Sequence, residues 1–399
     1  MTSAQRPSYI IVGAGVFGAS TAYHLSKSHP EVSVILIDRS SSFPCSLGAS
    51  HDYNKIVRAD YENLFYCGLA LEAREAWKSD PLYTPFYHQS GLVNLDNTGL
   101  GRKIVRNYED LKVYSEAAII SPEEMKGRYN GLFADTDYQD VEEIFINPLS
   151  GWAEATPAVG AVIEASVANG VKFVEGDVKN IICNENGDCT GVETEDGRAL
   201  FADKIILSTG AGTAKLLAKS YPRCQNFQAR DRITAAAVVT GVVRLNEKQL
   251  DRFRESPVFI HNIDNVLGEV LPPTSDGLLK FCVDVSFMNT SLDLDSGQLL
   301  SAPPNFPDQA QYEVPANLKD ECCRVVRGIY GKQLAGFSFE SFRICWDGIT
   351  PSQDFIISEH PTSNLYIATG GSFHGWKFLP TIGKYVTQLL DGRLPEDLN

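Results

Sequence analysis

Two spacings of apolar residues divide this chain into elements. Largely apolar runs at 9–12, 32–37 and Lys204–Leu207 suit strands buried on both faces of a parallel sheet. Helical spacing appears at about 17–28, at 62–79 through Leu64, Phe65, Leu69, Leu71, Ala73 and Trp77, and again at 156–169, 214–219, 320–330 and Ile382–Leu390. Residues 108–129 read as a further, highly charged helix. Short strands are expected within 83–95 and at 171–173, 177–182, 191–193, 235–243, 278–285, 337–346, 355–357 and Leu365–Thr369. Asn186-Gly187 turns a hairpin, and Pro148, Gly151 and Trp152 mark a loop. Segment 50–61 stays open at this level: His51, Lys55 and Arg58 would align on a helix, yet 55–58 also reads as a short strand.

Three of the strands run into glycine loops that open helices. In the first, Gly13, Gly15 and Gly18 have the spacing G-x-G-x-x-G. Gly13 permits the tight turn, Gly15 lets backbone approach a pyrophosphate, and Gly18 lets the helix close on the sheet. The helix offers free N–H groups and its positive end to phosphates. Asp38 ends the second strand about 20 residues beyond Gly18, where a carboxylate accepts from ribose hydroxyls. The flanking strands and the placed acid favour dinucleotide binding over a merely glycine-rich turn. Ser208-Thr209-Gly210-Ala211-Gly212 and residues 370–377 repeat the step. Units so far apart imply an α/β (α+β) fold with a discontinuous, Rossmann-like nucleotide-binding domain at 1–85, 150–220 and 325–399. A second, strand-rich domain for substrate is expected at 86–149 and 221–324.

Composition adds mainly exclusions. A formal charge of -15 and a pI near 5.0 oppose nucleic acid or an anionic membrane as partner. Nine scattered cysteines without a C-x-x-C pair read as reduced intracellular thiols, and no metal site is expected. The first strand begins too early to leave room for a signal peptide, and no apolar run is long enough to span a bilayer. The last residues, Asp397-Leu398-Asn399, are not the S-K-L address, so a cytoplasmic location is expected.

Four stretches occur in order: the glycine fingerprint with Asp38, Ser50-His51-Asp52-Tyr53-Asn54-Lys55-Ile56-Val57-Arg58, Arg343-Ile344-Cys345-Trp346, and residues 371–377. Together they resemble the monomeric sarcosine oxidase and fructosyl amino acid oxidase (amadoriase) family of FAD-dependent amine oxidases. Asn54-Lys55-Ile56 and Cys345-Trp346 place the resemblance nearest the fungal fructosyl amino acid and saccharopine oxidase branch. Taken alone, Cys345 would read as a buried thiol, Lys280 as a solvated charge and His374 as structural. The resemblance implies that FAD is attached covalently through Cys345, that Lys280 activates oxygen, and that Arg58 and Lys377 clamp a substrate carboxylate. By the same resemblance His51, Lys55 and His374 line the flavin, Val178 meets the adenine, and Ser208 and Gly210 lie beside the cofactor. Val16, Phe17, Arg39, Ser50, Phe373 and Gly375 fall in the same cofactor-binding stretches.

The implied reaction oxidises the C–N bond of an N-substituted or cyclic amino acid to an imine, with O2 reduced to H2O2. Asp284 stands where fructosyl amino acid oxidases carry Glu, and those enzymes continue past the last helix into a tail with a ligand-contacting arginine. Fructosyl amino acids are therefore the alternative substrate, with Asp284 expected to meet a polar part of the ligand. An NAD(P)-dependent dehydrogenase and a non-catalytic flavin-binding protein are the rivals of another class. The expected partners are a small amino acid and O2, bound by a monomer.

Overall fold

The computed structural model describes residues 6–263, 265–304 and 311–395. The strand Ser8–Val12 lies inside a six-stranded sheet, parallel to Ser33–Asp38 on one side and to Lys204–Leu207 on the other. Lys172–Glu175 extends the sheet at one edge, and Leu365–Thr369 followed by the antiparallel Ile356–Glu359 extends it at the other. Ile10 and Ile11 are wholly buried, which is why this strand reads as a continuous apolar run. The helix Val16–Ser28 covers one face, packed against the helices Ala155–Ala168 and Ile382–Leu390.

An eight-stranded mixed sheet forms the second layer, in the order Phe339–Ile349, Thr234–Arg244, Leu278–Val283, Val266–Val270, Val258–Ile263, Leu92–Leu95, Ile144–Asn147, Ala118–Ile120. Strand alternation gives it two unlike faces. Leu279, Phe281 and Val283 pack with Val325, Val326 and Ile329 of the helix Ala316–Tyr330, burying apolar surface on one side. Lys280 and Cys282, between them in sequence, point to the opposite side and line a cavity.

Most expected elements form within a few residues of their reading, and three departures have physical causes. Residues 108–129 are not one helix: Leu100–Asp110 ends, Ala118–Ile120 pairs with Ile144–Asn147, and Ser121 caps the short helix Pro122–Gly127 by accepting from the Glu124 amide at 3.2 Å. The loop expected around Gly151 is the strand Gly151–Glu154, paired on both sides by distant segments, Asn54–Val57 and Tyr87–His88. That pairing also decides segment 50–61 in favour of its strand reading. Residues 325–349, expected with the nucleotide-binding domain, belong with the eight-stranded sheet: Ala316–Tyr330 packs on it, and Phe339–Ile349 is its edge strand, held along Thr234–Arg244.

Among the described residues no helix is long and apolar enough to cross a membrane, and no group of three His, Cys, Asp or Glu is placed to hold a metal ion. All nine cysteines are free.

Candidate active site

The two sheets enclose one long cavity of about 1580 Å³, above the roughly 300–1,000 Å³ of an ordinary small-ligand pocket. Its first end is made by the glycine loops. Gly13 has φ +100°, and a Cβ there would lie 2.4 Å from the Ser208 carbonyl oxygen, so the first two loops touch through bare backbone. A Cβ on Gly18 would meet the Gly13 carbonyl at 1.8 Å, which fixes the approach of helix to sheet. Gly15 caps the helix, the Val16 amide donates to Ser50 Oγ at 2.9 Å, and the Ala14 amide donates to Asp38 Oδ2 at 2.7 Å. Burial pushes the Asp38 carboxyl up, against the pull of the Ala14 and Ser40 amides. Arg39, Asp38 and Val178 line the cavity, as do Ser208 and Gly210 of the second glycine loop.

Cations and one buried carboxylate organise the central part. Lys280 Nζ donates to Asp52 Oδ2 at 2.9 Å and to the Asn54 carbonyl at 2.6 Å, and Lys55 Nζ meets the same Asp52 oxygen at 2.9 Å. Burial alone would raise the Asp52 pKa, but Lys280, Lys55 and Arg343 outweigh it and hold the carboxyl far below the carboxylate range. Burial pulls the Lys55 ammonium down, and Asp52 more than restores it. Cys345 sits opposite Val238 in the edge strand, 4% exposed, and lines the cavity. Two residues earlier Arg343 donates to the carbonyls of Ser46, Gly48 and His51, pinning the loop that leads into Asp52.

The other end holds Arg58, Tyr61, His374 and Lys377. Lys377 Nζ donates to Tyr61 Oη at 2.8 Å and to the His374 carbonyl at 2.6 Å. His374 Nε2 lies 2.8 Å from the Gln353 carbonyl, which can only accept, so Nδ1 is the acceptor for the Tyr61 hydroxyl at 2.9 Å. Burial, then the neighbouring Lys377, lowers the His374 pKa to about 3 and keeps the ring neutral. Burial, then Arg58, pushes the Lys377 ammonium well below its usual value. Phe373 and Ser372 both have positive φ, and this strained loop is held by Asp347 accepting from the Phe373 amide at 2.8 Å.

Residues 8–389 match the family of FAD dependent oxidoreductases (DAO). The chain belongs to that family. It is 28% identical to the L-saccharopine oxidase of Schizosaccharomyces pombe over 97% of this chain and 90% of that one. It is 26% identical to a monomeric sarcosine oxidase of Bacillus sp. (strain B-0618), over 98% and 94% respectively. Among solved structures it resembles the fructosamine oxidase Amadoriase II of Aspergillus fumigatus in complex with FSA, with 26% identity and a TM-score of 0.85, covering 100% of this chain and 89% of that one. The protein is thus an FAD-dependent oxidoreductase with the family's Rossmann-like fold.

The residues present fit that cofactor. Ser208 Oγ and Trp376 Nε1 are buried polar atoms without a protein partner, and both residues line the cavity. Gly13, Gly15 and Val16, where the helix N-terminus opens, line the cavity as well.

Of the expected site residues, Gly13, Gly15, Val16, Phe17, Asp38 and Arg39 line the cavity, as do Ser50, Lys55, Arg58, Val178, Ser208 and Gly210. Lys280, Asp284, Cys345, Phe373, His374 and Lys377 line it too. Gly18, His51 and Gly375 do not: Gly18 and Gly375 pack backbone on backbone, and the His51 carbonyl accepts from Arg343. Asp284 is exposed at the rim. Sequence reading passed over Asp52, Tyr61 and Glu269. Asp52 had a signal, its three-residue spacing to Lys55. Glu269 had only its alternation with Val266 and Val270, which sets it on the cavity face.

Proposed function

We propose that the protein oxidises the C–N bond of an N-substituted or cyclic α-amino acid. The observation that carries this reading is the pairing of Arg58 and Lys377 at one end of a cavity whose wall also presents Lys280 and Cys345. Arg58 can grip a carboxylate bidentately while Lys377 adds a point charge. Burial and Arg58 disfavour the Lys377 ammonium, and an entering carboxylate would favour it, so carboxylate binding and the charge on Lys377 reinforce each other. Tyr61 holds Lys377 in place and is itself fixed by His374. Lys280 Nζ, oriented by Asp52, faces the wall where charge develops as oxygen is reduced.

When bound, FAD would supply the hydride acceptor for the carbon beside the nitrogen and the route of the electrons to O2, released as H2O2. We place its covalent link at Cys345 Sγ, a reading supported by the thiol's position on the cavity wall. The nucleotide-binding layer comprises the glycine loops with the six-stranded sheet, the substrate layer is the eight-stranded sheet, and the working unit is a monomer.

The likeness to Amadoriase II favours a second reading, oxidation of fructosyl amines. A peroxide assay over sarcosine, other N-methyl amino acids, pipecolate, saccharopine and fructosyl amino acids decides between them. Highest kcat/KM with an N-substituted or cyclic amino acid is expected. Highest efficiency with fructosyl-valine or fructosyl-lysine, or equal turnover of amines lacking a carboxylate, overturns the first reading.

A further inference from the structure

The cavity face of the eight-stranded sheet carries an acid at its centre. Thr240, Cys282, Glu269, Ile260 and Asn94 lie in register across five adjacent strands, and all five line the cavity. With strands about 4.8 Å apart, Glu269 stands one strand from Cys282 and two from Asn94. The charged and titratable groups that face it are Lys280, Cys282 and Asp284 from the adjoining strand and its end, Lys55 and Arg58 from the segment after the first glycine loop, and Lys377 from the last loop. Glu269 is half-buried, and among the described residues its carboxylate has no hydrogen-bond partner. Asn94, 7% exposed, leaves Oδ1 without a partner on the same wall.

An unpaired carboxylate near a cationic pair is the complement of an amino acid zwitterion, whose carboxylate and ammonium are separated by one carbon. Once the carboxylate is held by Arg58 and Lys377, a charged nitrogen buried with it needs an acceptor close by. Asp284 is the poorer candidate because it is the more exposed of the two acids, although burial raises its pKa as well.

We propose that Glu269 receives the substrate ammonium and takes its proton. One N–H bond breaks, one O–H bond forms on the Glu269 carboxyl, and the electron pair stays on nitrogen; no electrons leave the substrate in this step. The freed pair can then form the C=N bond as the hydride departs, and the proton passes from Glu269 to water after product leaves. Burial, then Asp284, raises the Glu269 pKa against the pull of Lys280, Arg58 and Lys55, which suits a carboxylate that has to hold a proton.

This inference rests on the amine-oxidase reading, and its test separates the two. Holoenzyme and Glu269→Gln are titrated, by the flavin absorption change, with α-aminoisobutyrate, which has no hydrogen on its α-carbon, and with isobutyrate, the same skeleton without the amine. The wild type is expected to bind the zwitterion at least about tenfold more tightly, as one charge-assisted bond implies, and Glu269→Gln to bind the two alike. The acid limb of the kcat/KM profile should also move upward in Glu269→Gln, towards the substrate amine's own pKa. Asp284→Asn should keep the binding preference. A Glu269→Gln protein with a normal flavin spectrum that keeps both the preference and the profile overturns the assignment, as does loss of the preference in Asp284→Asn alone. A wild type that oxidises no amine overturns the amine-oxidase reading instead, and the proton transfer with it.

Discussion

Asp52 is the residue whose loss should cost the site most. One of its oxygens accepts from Lys280 and from Lys55, at 2.9 Å each, and the Lys280 side chain is only 4% exposed. Asp52→Asn keeps the shape but strands two ammonium groups. Removing one partner of a buried pair costs about 3–5 kcal/mol, and two charge-assisted bonds of about 1.5–3 kcal/mol each give the same range or slightly more. The expected destabilisation is therefore about 3–5 kcal/mol, read as a shift in the urea midpoint of FAD-saturated protein at an unchanged slope. Adding Lys280→Met to Asp52→Asn removes the more deeply buried stranded charge, so the double variant should lose clearly less than the sum of the singles. The pH dependence has a definite sign. A carboxylate held below its unfolded pKa contributes fully above about pH 3.9, and that contribution fades as the pH falls further. Asp52→Asn should lack this acid-sensitive part. A destabilisation under about 1 kcal/mol, the worth of an exposed pair, or strict additivity in the double variant, would refute the reasoning.

Two further outcomes are expected. Acid-denatured wild type should keep its yellow colour on the polypeptide, whereas Cys345→Ala should release it; colour that washes off the wild type shows that the flavin is not linked there. His374 is held neutral with a pKa near 3, while the unfolded ring takes a proton near pH 6.5. Wild-type stability should thus decline from about pH 6.5 towards pH 4, and His374→Gln should flatten that decline in urea titrations; parallel pH curves would count against the assigned ring state.

Much of the nucleotide-binding layer was legible because its signals are local. The run at 9–12, the glycine spacing and Asp38 all fall within one strand–helix–strand unit, and a wholly buried strand leaves an unmistakable apolar run. The strands Ala118–Ile120 and Gly151–Glu154 were not legible, since each is defined by a partner remote in sequence. The site divides in the same way. Cys345, Lys280 and Lys377 were reached through resemblance, because the charge on Lys280 looks like solvent-facing charge until its strand is known to have an apolar face packed on a helix. Asp52 matters through Lys280, 228 residues away, and no spacing rule spans that interval. Tyr61 and His374, 313 residues apart, are a similar case.

The placing of Ser8–Val12 inside its sheet also governs when the site can come into being. This strand is made first, yet its neighbour Lys204–Leu207 and the outer Leu365–Thr369 leave the ribosome much later, and residues 373–377 later still. Until then the nascent chain exposes unpaired strand edges and has half a cradle, a situation prone to mispairing between chains. Cofactor loading therefore belongs to the end of synthesis, and a chain cut before Leu365 would lose Lys377 together with the edge protection of the sheet.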